Sequence, residues 1–128
     1  MTIKAVLDAS ALIALMKNEP GAEVVRSSIK EAAMSSVNLS EVAAALITLG
    51  IPIGTVRMMF DELSLNTVPC DDELALAAAS LRAPTRAAGL SLGDRACVAL
   101  AQRLSVPALT TDRAWAGLDL GIEVRVIR

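Results

Sequence analysis

A chain of 128 residues is long enough to fold as one domain around its own core, without disulfide or metal staples. It contains no histidine, which excludes Ser-His-Asp triads, Cys-His catalysis and histidine-ligated zinc. The formal net charge is −2, from 12 basic and 14 acidic residues, and no apolar run approaches the roughly 18 residues that span a bilayer. Composition alone therefore points neither to a membrane nor to a nucleic acid.

The hydrophobic pattern predicts strands and helices that alternate along the chain. In chain order, we expect a buried strand at 3–7, helices at 10–17 and 22–33, an extended segment at 34–37, helices at 38–49 and 54–63, a strand at 66–69, helices at 71–81 and 91–104, and strands at 107–110 and 122–127. No two strands are joined by a tight hairpin, so the sheet should be mostly parallel, with helices on both faces. The sequence therefore predicts one α/β domain.

The two cysteines, Cys70 and Cys97, match no zinc or redox spacing. We expect both to be buried, free thiols of a cytoplasmic protein, because the cytoplasm keeps thiols reduced. The N-terminal segment reaches an acid at position 8 and carries no long apolar stretch, so we expect no secretory signal.

Four acidic residues fall where ligand sites form in parallel α/β sheets. Asp8 directly follows the first strand, and Asp112 lies just beyond the strand that ends at Thr110. Glu41 and Asp94 lie in the first turns of helices, whose N-termini should meet the same edge of the sheet. Carboxylates held close together repel one another unless a cation compensates, and an all-oxygen site suits Mg²⁺ or Mn²⁺. Such a site favours phosphodiester hydrolysis, which needs no nucleophilic side chain.

Each of these acids also fits a purely structural role. An Asn three positions before Glu41 and a Ser three positions before Asp94 give the spacing of helix capping boxes. Asp112 can cap the turn that follows it, and Asp8 can cap the first helix, where Ser10 competes for the same position. A capping acid can still bind a metal, so both interpretations stay open.

Four segments, taken together, resemble the PIN-domain ribonucleases, and among these the VapC toxins of bacterial toxin–antitoxin pairs. They are DASAL beginning at Asp8, EV beginning at Glu41, SLGDRA around Asp94 and TTDR around Asp112. Their order and spacing match over essentially the whole chain. The resemblance implies a single ribonuclease domain over 1–128, with three α/β/α layers and a central, mostly parallel sheet.

The same resemblance implies a metal-dependent endoribonuclease in which the four acids bind Mg²⁺ or Mn²⁺ and act as the catalytic residues. The hydroxyl residues of the family pattern fall on Ser10 and Thr110, which we expect behind the acids, orienting a ligand or a water. Helix capping by Ser10 and strand packing by Thr110 are equally compatible with their positions. The family also implies an RNA substrate, a cognate antitoxin protein and a homodimer.

Several other residues have two possible roles. Arg95 and Arg113 follow site acids and suit phosphate recognition in RNA, although ion pairs with neighbouring acids explain them as well. Arg82 and Arg86, in an expected loop, either line an RNA groove or are simply solvated. Trp115, the single tryptophan, either stacks on a base or packs beneath the last turn.

The two helices expected at 38–49 and 54–63 carry many apolar residues, for which the sequence allows two roles. Val42, Leu46, Leu49 and Phe60 are examples. They either fill the core or form a surface for a second copy or an antitoxin.

Two other function classes fit an α/β sheet with an acid after its first strand. A phosphotransfer receiver needs a late lysine, but the lysines are Lys4, Lys17 and Lys30. A dehalogenase-like phosphatase needs a second acid two residues after the first, where this chain has Ser10. A non-catalytic module of the same fold is the remaining alternative, and the presence of all four acids argues against it.

Overall fold

The computed structural model describes residues 2–128, and its central feature is a sheet of five strands. The strands are β1 (Ala5–Leu7), β2 (Ala32–Ser35), β3 (Asn66–Val68), β4 (Ala108–Thr110) and β5 (Val124–Val126). Their order across the sheet is β3-β2-β1-β4-β5, and every neighbouring pair is parallel. The predicted α/β class is therefore confirmed, with a sheet that is parallel throughout.

Seven α-helices within residues 2–128 connect and cover these strands. They are α1 (Ala9–Met16), α2 (Ala22–Ser28), α3 (Ser36–Thr48), α4 (Ile53–Leu63), α5 (Asp72–Ser80), α6 (Arg82–Thr85) and α7 (Leu92–Leu104). Short 3-10 turns follow at Ile29–Glu31 and Arg113–Trp115. Within the same residues, no helix combines the length and the apolar character that crossing a bilayer requires.

Side chains of the strands alternate between two apolar cores, one on each face of the sheet. Val6 of β1 belongs to the core formed with α5 and α7, whereas Ala5 and Leu7 belong to the core formed with α1 to α4. The three central strands, β1, β2 and β4, are buried on both faces, as expected of a parallel sheet between helices, whereas the edge strands β3 and β5 are partly exposed. This arrangement has three layers, α/β/α.

The second predicted helix, 22–33, was too long. The chain leaves α2 at Ser28 and enters β2 at Ala32. Alanine favours helices, but Ala32 pairs with Ala5 and Ala33 pairs with Val6 in β1, and both are fully buried. Tertiary pairing therefore overrides the local helix propensity. The next helix, predicted to begin at 38, begins two residues earlier, at Ser36.

The expected loop around Arg82 and Arg86 was also wrong, because α6 occupies most of it. Pro84 lies within the first turn of this helix, where a proline costs no intrahelical hydrogen bond. Thr85 anchors the helix, since it is buried and its hydroxyl donates to the Leu81 carbonyl at 2.7 Å. Both arginines lie exposed at this helix.

Burial tests the predictions made for the tryptophan and the two cysteines. Trp115 is completely buried, so packing is confirmed and stacking on a base is wrong. Cys97 is a buried, free thiol as predicted, but Cys70 is only half-buried. Its position after β3, at the edge of the sheet, leaves it partly open to water.

The apolar stretch of α3 and α4 divides between core and surface. Val42, Leu46 and Val56 are buried in the core, and Phe60 packs against it. Leu49 is 62% exposed, so core packing accounts for part of this stretch only.

Candidate active site

The candidate site lies at the carboxyl edge of the sheet, where the neighbouring strands β1 and β4 end. Asp8 follows β1 as the N-cap of α1, and only 3% of it is exposed. Three donors reach its carboxylate: the Ser10 hydroxyl at 2.7 Å, the Ala11 amide at 2.8 Å and the Thr110 hydroxyl at 2.5 Å. The capping interpretation of Asp8 is confirmed, and the competing cap by Ser10 is wrong.

Ser10 and Thr110 connect Asp8 to the segment that carries Asp112. The Thr110 hydroxyl oxygen accepts from the Asp112 amide at 3.0 Å, and the Ser10 hydroxyl oxygen accepts from the Thr111 amide at 3.0 Å. Each hydroxyl thus donates a hydrogen bond to Asp8 and accepts one from a backbone amide next to the end of β4. The structure places both beside Asp8, where the sequence predicted them; their action on a ligand or water stays a prediction.

Burial raises the pKa of Asp8 from 3.8 to about 6. Hydrogen bonds from Thr110, Ser10 and the Ala11 amide act in the opposite direction, because they stabilise the carboxylate. The negative charge of Asp94 adds to the increase. At neutral pH, Asp8 is therefore an ionised group in surroundings that favour a compensating positive charge.

Asp94 lies in the first turn of α7, close enough to Asp8 for its charge to raise the pKa of Asp8. Its carboxylate accepts from the Ser91 amide at 2.9 Å, and its own amide donates to the Ser91 hydroxyl at 3.2 Å, so the predicted capping box is confirmed. Cys97 lies fully buried one turn further along α7. Burial raises the pKa of its thiol, and the charges of Asp8, Asp94 and Glu41 raise it further. Three of the four predicted acids therefore act on the same part of α7.

Glu41 reaches α7 from the neighbouring helix α3. The Asn38 amide nitrogen donates to Glu41 Oε1 at 2.8 Å and to the Gly93 carbonyl at 3.0 Å. A Cβ atom at Gly93 would overlap the Glu41 carboxylate, which therefore lies directly over this glycine. The predicted capping box at Asn38 was wrong, because Ser35 caps the helix by accepting from the Val37 amide at 3.2 Å.

Asn38 and Gly93 also belong to the candidate site, and neither was predicted from the sequence. Asn38 is 1% exposed and Gly93 is also buried. A signal existed for the glycine: inside a strongly helical segment it costs about 1 kcal/mol relative to alanine. The Glu41 carboxylate accounts for the glycine, because it occupies the space that a side chain would take there.

Asp112 lies just beyond the end of β4. It is exposed, and its Oδ1 accepts from the Ala114 amide at 2.9 Å, which caps the 3-10 turn. The capping interpretation of Asp112 is confirmed. Its backbone amide, bonded to the Thr110 hydroxyl, still connects it to Asp8.

The donor chemistry of the site fits a hard divalent cation. Carboxylates and hydroxyls surround Asp8, and oxygen donors are the ligands that Mg²⁺ and Mn²⁺ prefer. The costly charge of the buried Asp8 also favours a cation nearby. However, no three acidic or thiol side chains within residues 2–128 converge as one metal-binding group. The carboxylates of Asp94 and Asp112 are turned to their helix caps, and metal binding stays a prediction.

The two arginines that follow site acids differ in exposure. Arg95 donates to the Ala78 carbonyl at 3.0 Å, and its Nε is buried without a hydrogen-bond partner. Arg113 is exposed, and its Nε donates to the Arg128 carbonyl at 3.4 Å. In the part of the chain that the structure describes, neither arginine forms an ion pair, so that alternative is wrong for both. Arg113 is therefore the more accessible of the two for a substrate.

The fold and the candidate site define a three-layer α/β/α protein with a parallel five-stranded sheet and acidic residues at the carboxyl edge of that sheet. Residues 5–119 match the PIN domain family. The chain belongs to the PIN-domain family, as the resemblance of its four segments indicated. A comparison with curated proteins found no match.

Solved structures of low sequence identity share the fold. A toxin–antitoxin complex from Klebsiella pneumoniae has a chain with a TM-score of 0.77 and 20% identity, and the match covers 98% of both chains. DNA-bound VapBC from Salmonella typhimurium has a TM-score of 0.73 and 15% identity, over 97% of this chain and 98% of the other. FitAcB from Neisseria gonorrhoeae has a TM-score of 0.70 and 16% identity, over 94% and 95%. The expected three-layer PIN fold is therefore confirmed.

Proposed function

We propose that the chain is a Mg²⁺- or Mn²⁺-dependent endoribonuclease and the toxin of a type II toxin–antitoxin pair. The observation that carries this proposal is the carboxylate of Asp8, which is buried and oriented at the carboxyl edge of the sheet, with Asp94 nearby. Acids with strongly perturbed pKa values cluster at functional sites. Membership of the PIN-domain family, together with the resemblance to its ribonucleases, directs the chemistry to RNA.

Four carboxylates would hold the cation, namely those of Asp8, Glu41, Asp94 and Asp112. When bound, the cation supplies Lewis acidity that lowers the pKa of water and balances the charge of the phosphodiester. An acid that is turned to a helix cap, such as Asp94, would have to divide its two oxygens between the cap and the cation.

Residues of the chain itself position the acids and the substrate. Ser10 and Thr110 restrain both oxygens of Asp8, so its carboxylate is held in one orientation. Asp94 lies at the N-terminus of α7, where the positive end of the helix dipole favours a phosphate group. The exposed guanidinium of Arg113 provides a charge for a neighbouring phosphate of the RNA.

Cleavage of total RNA by the purified, antitoxin-free protein tests the proposed activity. We expect cutting with Mg²⁺ or Mn²⁺ that is lost with EDTA and in Asp94→Asn. Asp119→Asn, which changes an exposed acid in a loop, is the matched control and should cut normally. Cutting that survives both EDTA and Asp94→Asn would refute the metal-dependent mechanism. A folded protein that cuts no RNA class in Mn²⁺ would favour the non-catalytic module instead.

A cognate antitoxin is the proposed protein partner. Support comes from the similar structures, since those from Klebsiella pneumoniae and Salmonella typhimurium are a toxin–antitoxin complex and a DNA-bound VapBC. In a toxin–antitoxin pair we expect a small gene that overlaps this one upstream, and its product would be the candidate to test. Co-purification of the two proteins, with loss of RNA cleavage in the complex, is expected; an independent, non-inhibiting neighbour would contradict the toxin assignment. The cytoplasmic location stays a prediction as well.

A homodimer is proposed from apolar residues that are exposed at the C-terminal end of α3 and on α4. Leu49, Ile53 and Met58 are 62%, 64% and 62% exposed. Exposed apolar side chains that lie near one another can form an interaction surface. Met58→Lys adds a charge there without touching the core, and Leu76→Lys makes the same change on α5, where the leucine is 67% exposed. Light scattering should show dimers for the wild type and Leu76→Lys, and monomers for Met58→Lys. A monomeric wild type would contradict the proposal.

A further inference from the structure

Asn38 is a buried amide whose donors both reach the site. It is 1% exposed, and its nitrogen donates to Glu41 Oε1 at 2.8 Å and to the Gly93 carbonyl at 3.0 Å. Its carbonyl oxygen is buried without a hydrogen-bond partner. An unpartnered buried oxygen costs free energy, so stability alone does not account for an amide at this position. Its two hydrogen bonds link Glu41 of α3 to Gly93 in the first turn of α7.

Gly93 contributes to the same arrangement by lacking a side chain. Its backbone does not have a positive φ, so the helix itself does not require a glycine here. Glycine is, moreover, the poorest helix former after proline. The Glu41 carboxylate occupies the space that a Cβ atom at this position would take. The glycine at position 93 is therefore explained by the space that the Glu41 carboxylate occupies, and not by the backbone conformation of α7.

We propose that Asn38 and Gly93 are positioning residues that hold the Glu41 carboxylate over the N-terminus of α7 and thereby set the metal affinity of the site. This inference rests on the proposed function. Glu41 is an exposed side chain on a surface helix, and it would otherwise sample several rotamers. The amide hydrogen bond and the open space at position 93 favour one of them. A carboxylate that is already ordered loses less conformational entropy when it binds a cation.

Mn²⁺ binding by the full-length, metal-free protein tests the inference by calorimetry, without any RNA. Asn38→Leu conserves volume and removes both the donor and the unpartnered oxygen. Gly93→Ala displaces the Glu41 carboxylate while it improves the helix propensity of α7. We expect each variant to bind Mn²⁺ about 10-fold more weakly than the wild type, the lower end for residues that orient metal ligands. The melting temperature of Gly93→Ala should be at or above that of the wild type.

The same two substitutions in a Glu41→Gln background separate positioning from a general structural role. Once the carboxylate is gone, either substitution should change Mn²⁺ affinity by less than about two-fold, because interacting residues are non-additive. An equal loss of affinity in both backgrounds would overturn the inference. So would a loss that simply follows the melting temperature.

Asp8→Asn distinguishes a failure of this inference from a failure of the proposed function. If Asp8→Asn abolishes Mn²⁺ binding while Asn38→Leu and Gly93→Ala bind like the wild type, the positioning role is wrong and the metal site stands. If the wild type binds no Mn²⁺, both are overturned together. Gly93→Ala keeps the test decisive even if Asn38→Leu does not fold.

Discussion

Asp8→Asn is the substitution that most directly tests the energetic cost of the buried acid. The amide has nearly the same size as the carboxyl group, and its oxygen can still accept from the Ser10 hydroxyl and the Ala11 amide. Its nitrogen then faces the Thr110 hydroxyl, whose oxygen can accept a hydrogen bond. The substitution therefore removes a charge and leaves the packing of a side chain that is 3% exposed almost unchanged.

The size of the effect follows from the pKa of Asp8, which burial raises from 3.8 to about 6. Each pKa unit corresponds to about 1.4 kcal/mol, so the ionised carboxylate lowers the free energy of unfolding by about 3 kcal/mol. Because the folded-state pKa lies above the unfolded one, this loss is absent below about pH 4 and complete above about pH 6. Asparagine does not titrate in this range. At pH 7.5 without metal, we expect Asp8→Asn to be up to about 3 kcal/mol more stable than the wild type, with no advantage at pH 4.

Urea unfolding in EDTA, followed by the fluorescence of the buried Trp115, measures this difference between pH 4 and pH 7.5. Asp119→Asn is the control, since it removes an exposed charge and should show no such pH-dependent gain. Saturating Mn²⁺ should then stabilise the wild type and leave Asp8→Asn unchanged. If Asp8→Asn were less stable than the wild type by the same amount at both pH values, the claim that the charge is costly would be refuted.

Three further substitutions probe other contacts of the site. Thr110→Val removes a donor that stabilises the Asp8 carboxylate, so the stability loss on raising the pH should become larger and extend to higher pH in the same urea series; a smaller loss that ends at lower pH would contradict the hydrogen bond. Trp115→Ala empties a completely buried position and should lower the free energy of unfolding by about 3–5 kcal/mol, and a loss below about 1 kcal/mol would mean that the indole is not packed as described. Asp112→Ala removes the cap on the Ala114 amide and should lower the free energy of unfolding by about 1 kcal/mol, whereas RNA cleavage should fall much further; near-normal cleavage would leave Asp112 only a capping role.

The fold class could be predicted because parallel α/β proteins have a strong local signature. Short apolar segments such as 3–7 and 107–110 each end at a polar residue, and helical patterns separate them. Boundaries were less certain where the local signal was weak. Ala32 and Ala33 fit a helix as well as a strand, and their pairing with β1 decided between the two.

The sequence by itself determined that the four acids should follow strands or begin helices, because the chain direction of a parallel sheet carries those positions to one edge. It also predicted the capping box of Ser91 and Asp94, since capping depends on residues within one turn. At Asp8 it left Ser10 as a competing cap, and the capping box that it predicted at Asn38 was wrong. The resemblance pointed to Ser10 and Thr110, but the sequence did not predict Asn38 or Gly93, nor the long-range contacts that complete the site. The hydrogen bond from Thr110 to Asp8 joins residues 102 positions apart, and that from Asn38 to Gly93 joins residues 55 positions apart.

Only the tertiary structure decided those contacts, and with them the burial of Asp8 and its raised pKa. The tertiary structure also decided that Trp115 is buried and that the Arg95 side chain reaches the Ala78 carbonyl of α5. Propensities and periodicities reflect interactions between residues that are close together in the sequence. Burial and long-range hydrogen bonds depend on how whole layers pack, and a pattern within one segment carries no information about the segment that will cover it.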